Sequence, residues 1–200
     1  MLLRASLFLL LFLSISTLSA QKDKIKIVEE KIANRLALYA VNESETDYDV
    51  MITVSGTNFR QSKGKSRFFR VPQASKVHLK NLILTKGKLP QYTYELVIND
   101  SLSRRALRKP FTNIKIAPKA LITIYVPENC PTCDSIINPL KASRYKFTSI
   151  VLADRPEVKK GLKMVLPKID SIQKPIVSLG GKIFPEVESY EQLMEELNNN

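Results

Sequence analysis

Beyond residue 20, apolar residues recur with period two through the first part of the chain. Leu36, Leu38 and Ala40 alternate with Arg35, Ala37 and Tyr39, and Val50, Ile52 and Val54 alternate with Met51, Thr53 and Ser55. Phe69 and Val71 close a third run. Val77, Leu79, Leu82 and Leu84 form a fourth, whose phase slips near Asn81. Tyr92, Tyr94, Leu96 and Ile98 form a fifth, and Ile114 with Ile116 a sixth. Alternation places successive side chains on opposite faces of a strand, so each run predicts a strand buried on one side. Turn residues separate the runs at Asn42 to Asp47, Ser55-Gly56, Lys63-Gly64, Lys86-Gly87-Lys88 and Asn99-Asp100. Residues 25–33 fit either a leading strand or a short helix.

After Pro118 the pattern changes. Leu121 to Val126 is a continuous apolar, β-branched run, which predicts a buried strand. Cys130-Pro131-Thr132-Cys133 follows, with Ile136, Ile137 and Leu140 at helical spacing. Phe147 to Leu152 predicts a second strand. Val158, Leu162, Val165, Leu166 and Ile169 predict a helix that Pro167 must end or kink. Ile176 to Leu179 and Lys182 to Phe184 predict two strands joined by a Gly180-Gly181 hairpin turn. Tyr190, Leu193, Met194 and Leu197 mark a closing helix. The expected organisation is two domains: an all-β sandwich over 21–118, immunoglobulin-like in its pattern of short strands, and an α/β domain of order β-α-β-α-β-β-α over 119–200.

The first 20 residues read as an export signal. Arg4 precedes an apolar run from Leu7 to Leu13, and small residues lead to a cut after Ala20, or after Ser19. The run is short for a membrane span, which needs about 20 apolar residues, although an uncleaved anchor is the alternative. The mature protein is therefore expected in the periplasm or secreted, where disulfides persist. The two cysteines exclude a disulfide-dense scaffold. Hydrophobic content of 44% excludes disorder throughout.

The charge is uneven. Of the formal net charge of +12, residues 21–118 carry 19 Lys or Arg against 9 Asp or Glu, and residues 119–200 carry 11 against 10. Arg60, Lys63, Lys65, Arg67 and Arg70 cluster around Gly64, and Arg104, Arg105, Arg108 and Lys109 form a second group. These suggest contact with an acidic envelope surface or protein, or else solvated loops. Nucleic acid is not an expected partner, because no binding motif is present. Asn42-Glu43-Ser44 and Asn99-Asp100-Ser101 match the glycosylation pattern.

The cysteine pair offers chemistry. With Cys130 as the helix N-cap, Pro131 would take the first helical position, where its missing N–H costs nothing. Residues three apart on a helix are neighbours, so the sulfurs can bond without backbone movement. The helix end would stabilise a Cys130 thiolate, the attacking species in exchange, with Cys133 resolving the mixed disulfide. Glu128 and Asp134 flank the motif and oppose the thiolate, which predicts a reducing pair.

Residues 119–200 resemble a glutaredoxin-like member of the thioredoxin superfamily. The resemblance rests on Cys130-Pro131-Thr132-Cys133 after a strand, Lys174-Pro175-Ile176-Val177 opening the third strand, and Gly180-Gly181-Lys182 before the last helix. It implies a thiol–disulfide oxidoreductase in which Cys130 and Cys133 are catalytic. It also implies that Pro175, with a cis peptide bond, lies beside them and shapes the substrate groove. Where glutaredoxins hold glutathione with a glycine pair and an acidic residue, this chain has Phe184-Pro185-Glu186-Val187, and Asn129 stands where many thioredoxins have Trp. No cofactor is expected, with glutathione left as an open alternative, and protein thiols or disulfides are the expected partners. Other readings of the pair are a structural disulfide in a non-catalytic envelope binding protein, or two-coordinate copper(I) on soft thiolates. No other metal site is expected. The lone His78 reads as a sheet-surface residue, and Met51, Met164 and Met194 as core or helix surface.

Overall fold

The structure, a computed structural model, describes residues 25–62 and 64–199; the expected signal segment lies outside them. The first half is built of antiparallel strands: β1 (Ile25–Ile32), β2 (Arg35–Asn42), β3 (Tyr48–Thr57), β4 (Phe59–Arg60), β5 (Phe69–Val71), β6 (Ser75–Leu84), β7 (Gln91–Asn99) and β8 (Phe111–Asn113). One sheet has the order β1-β2-β6-β4, with β8 also pairing with β6, and the other has the order β5-β3-β7. The alternation explains how they meet. Leu38, Ala40, Val77 and Leu82 of the first sheet share one core with Val50, Ile52, Val54 and Val71 of the second. Residues 25–32 resolve to a strand, since β1 pairs along its whole length with β2, and Ala33 begins the turn to β2.

The phase slip near Asn81 has a structural cause. The β2–β6 register pairs Leu38 with Lys80 but Tyr39 with His78, so Leu79 is an extra residue on β6. Such a bulge lets Leu79 and Leu82 both be buried although they differ in parity. The turn expected at Ser55-Gly56 is corrected: both residues lie inside β3, which runs on to Thr57. Gly56 pairs with Tyr92 across β3 and β7, and a Cβ placed on it would lie 2.1 Å from the Gln91 carbonyl oxygen. Backbone, not a movable side chain, fills that space. Gly56→Ala is expected to destabilise the fold by about 2 kcal/mol, read as a lower urea midpoint at unchanged slope.

The second half has β9 (Ile122–Val126), α1 (Cys133–Ala142), β10 (Phe147–Val151), α2 (Pro156–Val165), β11 (Ile176–Leu179), β12 (Lys182–Phe184) and α3 (Tyr190–Asn199), with short 3-10 turns at Leu152–Asp154 and Ile169–Ser171. The sheet order is β10-β9-β11-β12, with β10 parallel to β9 and the other pairs antiparallel. Helix α2 stops at Val165, because the residue before Pro167 is disfavoured in helical conformation. Gly180 and Gly181, both at positive φ, form the two-residue turn between β11 and β12. Alternate strand residues face different cores. Ile122, Ile124, Val177 and Leu179 pack with Ile136 and Leu140 of α1 and Leu193 and Leu197 of α3. Ile176 packs instead with Leu152, Leu162 and Ile169 on the α2 side.

The sixth strand expected at Ile114 and Ile116 is displaced. The strand is Phe111–Asn113, and Ile116 instead forms an isolated parallel bridge with Tyr145. Ile116 is 1% exposed and sits in the core of the second half, as does Ala74 from the loop before β6. Burial of these side chains thus carries the second core across the expected Pro118 boundary. The first glycosylation pattern also has a structural role. Asn42 is fully buried, and its amide donates to the carbonyls of Thr46, Val71 and Pro72, so in the folded chain it is not open to a glycan.

Candidate functional site

Strand β9 delivers the chain to the cysteine loop. Its parallel neighbour β10 ends on the same side, and antiparallel β11 begins there, with Ile176 opposite Tyr125. The ends of three strands therefore converge where Cys130-Pro131-Thr132-Cys133 turns into α1. Cys130 and Cys133 are joined in a disulfide. Cys133 is 4% exposed and packs with Ile136, Ile137, Leu140 and Val187, whereas Cys130 is half-buried at the rim of the same cluster. Cys130 is thus the more exposed residue of the pair and Cys133 the shielded one.

The expected N-cap is corrected. Thr132, not Cys130, caps α1, which begins at Cys133. Residues 130–133 form a turn before it, closed by the Cys133 N–H to the Cys130 carbonyl at 3.5 Å. The helical ladder starts only after that turn, so Cys130 stands ahead of the helix end rather than on it. Ser135 in the first turn donates through Oγ to the Thr132 carbonyl at 2.7 Å and to the Glu188 carbonyl at 3.4 Å. That second bond ties the loop before α3 to the start of α1.

Pro175 is buried immediately before β11, at the sheet end that carries the cysteines. The cis bond implied by the resemblance is not present: no cis peptide occurs among the described residues, so Lys174–Pro175 is trans. The trans form is favoured by about 0.5–1 kcal/mol for X–Pro, and it suits the extended lead into β11. Lys174 is fixed by an ion pair with Glu188 at 2.6 Å, whose hydrogen bond raises the lysine pKa, with Glu186 adding to the effect.

Sequence reasoning missed three neighbours. Glu188 and Val187 reach the cysteine turn from the loop before α3, far along the chain. Lys159 of α2 approaches from the other side. It pairs with Asp170 at 3.0 Å, and its pKa is raised mainly by that hydrogen bond, with a smaller pull from Glu128. A notch of about 80 Å³ beside the loop is lined by Pro127, Glu128, Asn129, Leu152, Lys159 and Asp170, among others. No signal in the sequence marks these contacts, because they depend on how the sheet stacks its loops. Glu128 and Asp134 are exposed on either side of the motif, as their positions suggest.

The other candidates disperse. His78 lies edge-on to Tyr39, with Nε2 2.9 Å from Asn81 Oδ1. Met164 is exposed, Met194 packs against the core of the second half, and Met51 is half-buried on β3. Among the described residues no group of three His, Cys, Asp or Glu side chains could hold a metal ion. The basic clusters divide. Arg70 is bound to buried Asp49, and Lys109 donates to the Leu79 carbonyl at 3.0 Å, so both are built into the fold. No helix among the described residues is long and apolar enough to cross a membrane.

Tyr145, 5% exposed, links the two halves by donating to Glu45 at 2.6 Å. Burial, then the Glu45 bond, raises its phenol pKa against an opposing effect of Arg144. A raised phenol pKa stabilises the fold below the unfolded value of about 10, and that contribution is lost as pH climbs through the folded value. Tyr145→Phe is expected to cost about 1 kcal/mol at neutral pH and to flatten the alkaline decline of the urea midpoint above about pH 10.

No protein-family model, curated protein or solved structure matches the chain.

Proposed function

We propose that this protein is an exported thiol–disulfide oxidoreductase acting on thiols or disulfides of envelope or secreted proteins. In this reading residues 119–200 are a glutaredoxin-like domain of the thioredoxin superfamily, and residues 21–118 are an immunoglobulin-like β-sandwich that docks a partner. The observation that carries it is the half-exposed Cys130 bonded to the buried Cys133, in a turn between a central strand and a helix. The sheet order and the position of Pro175 at the same sheet end support it.

The chemistry follows from that asymmetry. In the dithiol form, the Cys130 thiolate attacks one sulfur of a substrate disulfide, and the other substrate sulfur leaves as a thiolate. Cys133 then loses its proton and attacks Cys130 Sγ. The second substrate sulfur leaves, and the Cys130–Cys133 disulfide forms. Two electrons pass from the dithiol to the substrate, which gains two protons from solvent. With the protein disulfide as the starting form, the same steps run in reverse and oxidise a substrate dithiol. Shielding Cys133 confines the first attack to Cys130, while Pro175 shapes the surface against which the substrate chain lies.

The reduction potential of the pair tests this reading. Equilibration in graded thiol/disulfide buffers, alkylation and mass counting should give a value between roughly −120 and −280 mV, on the reducing side because Glu128 and Asp134 disfavour the thiolate. A potential below about −300 mV with slow exchange would make the bond a structural one. A Cys130 pKa below about 5 would remove the argument for a reducing pair.

A further inference from the structure

The first half has a gap in one sheet edge. On the side of β6 away from β2, β8 pairs only as far as Val77 and β4 begins only at Ile83. Among the described residues no strand pairs with His78 to Leu82 on that side. A sheet edge left open in this way presents backbone groups to a further extended chain, apart from the Leu79 carbonyl, which already accepts from Lys109 Nζ at 3.0 Å.

Two adjoining clefts, of about 170 and 380 Å³, lie along this gap and share Ser62, Leu79 and Lys80. The floor of the smaller one is apolar, formed by Ile52, Phe69 and Leu79 from both sheets. The rim is cationic, with Lys65 and Arg67 on one side, Lys80 in the middle, and Arg35 and Lys109 at the larger cleft. Among the described residues no carboxylate lines either cleft. Lys65, Arg67, Lys80 and Arg35 make no ion pair with any described residue, unlike Lys26, Arg70 and Lys76, although other exposed cations of this half are also unpaired. Lys109 sits over the Phe69 ring at 4.2 Å with only a carbonyl for a partner. Burial lowers its pKa, in keeping with a cation that lacks a counter-charge.

We propose that this cleft binds an extended acidic peptide segment of a partner protein, with an apolar residue seated on Ile52, Phe69 and Leu79 and carboxylates facing the cationic rim. Concavity favours a single chain over a bilayer, whose planar headgroup layer would meet only the rim. The open edge favours a peptide over other polyanions, because only a peptide backbone can pair with it. This inference is independent of the thiol chemistry at Cys130.

The test is fluorescence anisotropy with a labelled peptide in which glutamates flank a leucine on both sides. The full mature chain should bind it, and binding should weaken as salt rises from about 50 to 500 mM. Lys65→Gln/Arg67→Gln/Lys80→Gln, at positions outside the buried core, should raise Kd about tenfold. The charge-matched control Arg104→Gln/Arg105→Gln/Lys119→Gln should leave Kd within about twofold. The glutamine analogue of the peptide should bind weakly or not at all. Equal weakening by both triple variants would reduce the effect to net charge and overturn the site. So would tighter binding to phosphatidylglycerol vesicles than to the peptide, or no binding at millimolar peptide. Circular dichroism of each variant should match the parent, and a variant that fails this is replaced by its single substitutions.

Discussion

Cys130→Ser is expected to abolish exchange with a model disulfide, a fall of at least ~100-fold that leaves only the uncatalysed rate. Cys133→Ser should behave differently. Its Cys130 can still attack, but nothing resolves the product, so a mixed disulfide between Cys130 and the substrate should accumulate and be visible by mass. The asymmetry rests on exposure. Cys130 is half-buried at the rim of the core, and Cys133 lies within it against Ile136 and Val187. A structural disulfide predicts another pattern, in which both variants lose stability alike and neither traps substrate. If Cys133→Ser gave no adduct while Cys130→Ser did, the roles of the two sulfurs would be exchanged. Both variants should keep the binding of the acidic peptide, which separates the proposed redox site from the proposed cleft on the other half.

The second large effect concerns the fold itself. Asp49 is fully buried on β3, and Arg70 on β5 bonds it through Nε at 2.5 Å. The Ser103 N–H donates to the other carboxylate oxygen at 2.6 Å, and an Arg70 amino group reaches the Ser103 carbonyl at 2.9 Å. Asp49 in turn raises the Arg70 pKa, chiefly through the hydrogen bond. Arg70→Met removes the partner and leaves a desolvated carboxylate, which should cost about 3–5 kcal/mol, a large part of the roughly 5–15 kcal/mol of a typical domain. The loss should appear as a much lower urea midpoint. Asp49→Leu in the Arg70→Met background should recover part of it, since an apolar pair buries no unpaired charge. Equal midpoints for Arg70→Met and the parent would mean that the pair adds nothing. By contrast, the exposed Lys163–Asp170 pair lowers the Asp170 pKa but is open to solvent and salt, and no comparable effect is expected there.

These two sites mark what the sequence could say. The strands of the first half were legible because one face of each had to be apolar, and the slip near Asn81 foretold the bulge at Leu79. The elements of the second half were legible from the shift between alternating and helical spacing, with Pro167 setting one boundary. The cysteine motif was legible because its spacing and its place after a buried strand are local properties. Arg70 was misread as free surface charge, since nothing along the chain indicates that Asp49 waits for it. Ile116 was assigned to the wrong core for the same reason.

Local pattern therefore determined most of the strands and helices, several of the turns, and which two side chains can form the disulfide, because each depends on residues within a few positions of one another; the Ser55-Gly56 turn and the strand at Ile114 and Ile116 were the exceptions. Tertiary structure alone decided which sulfur is shielded, where Pro175 and Glu188 stand relative to it, which cations are neutralised, and where a sheet edge is left open. Those properties arise from contacts between residues tens of positions apart, whose pairing is set by how two sheets share a core and how strand ends line up, and no periodicity records that.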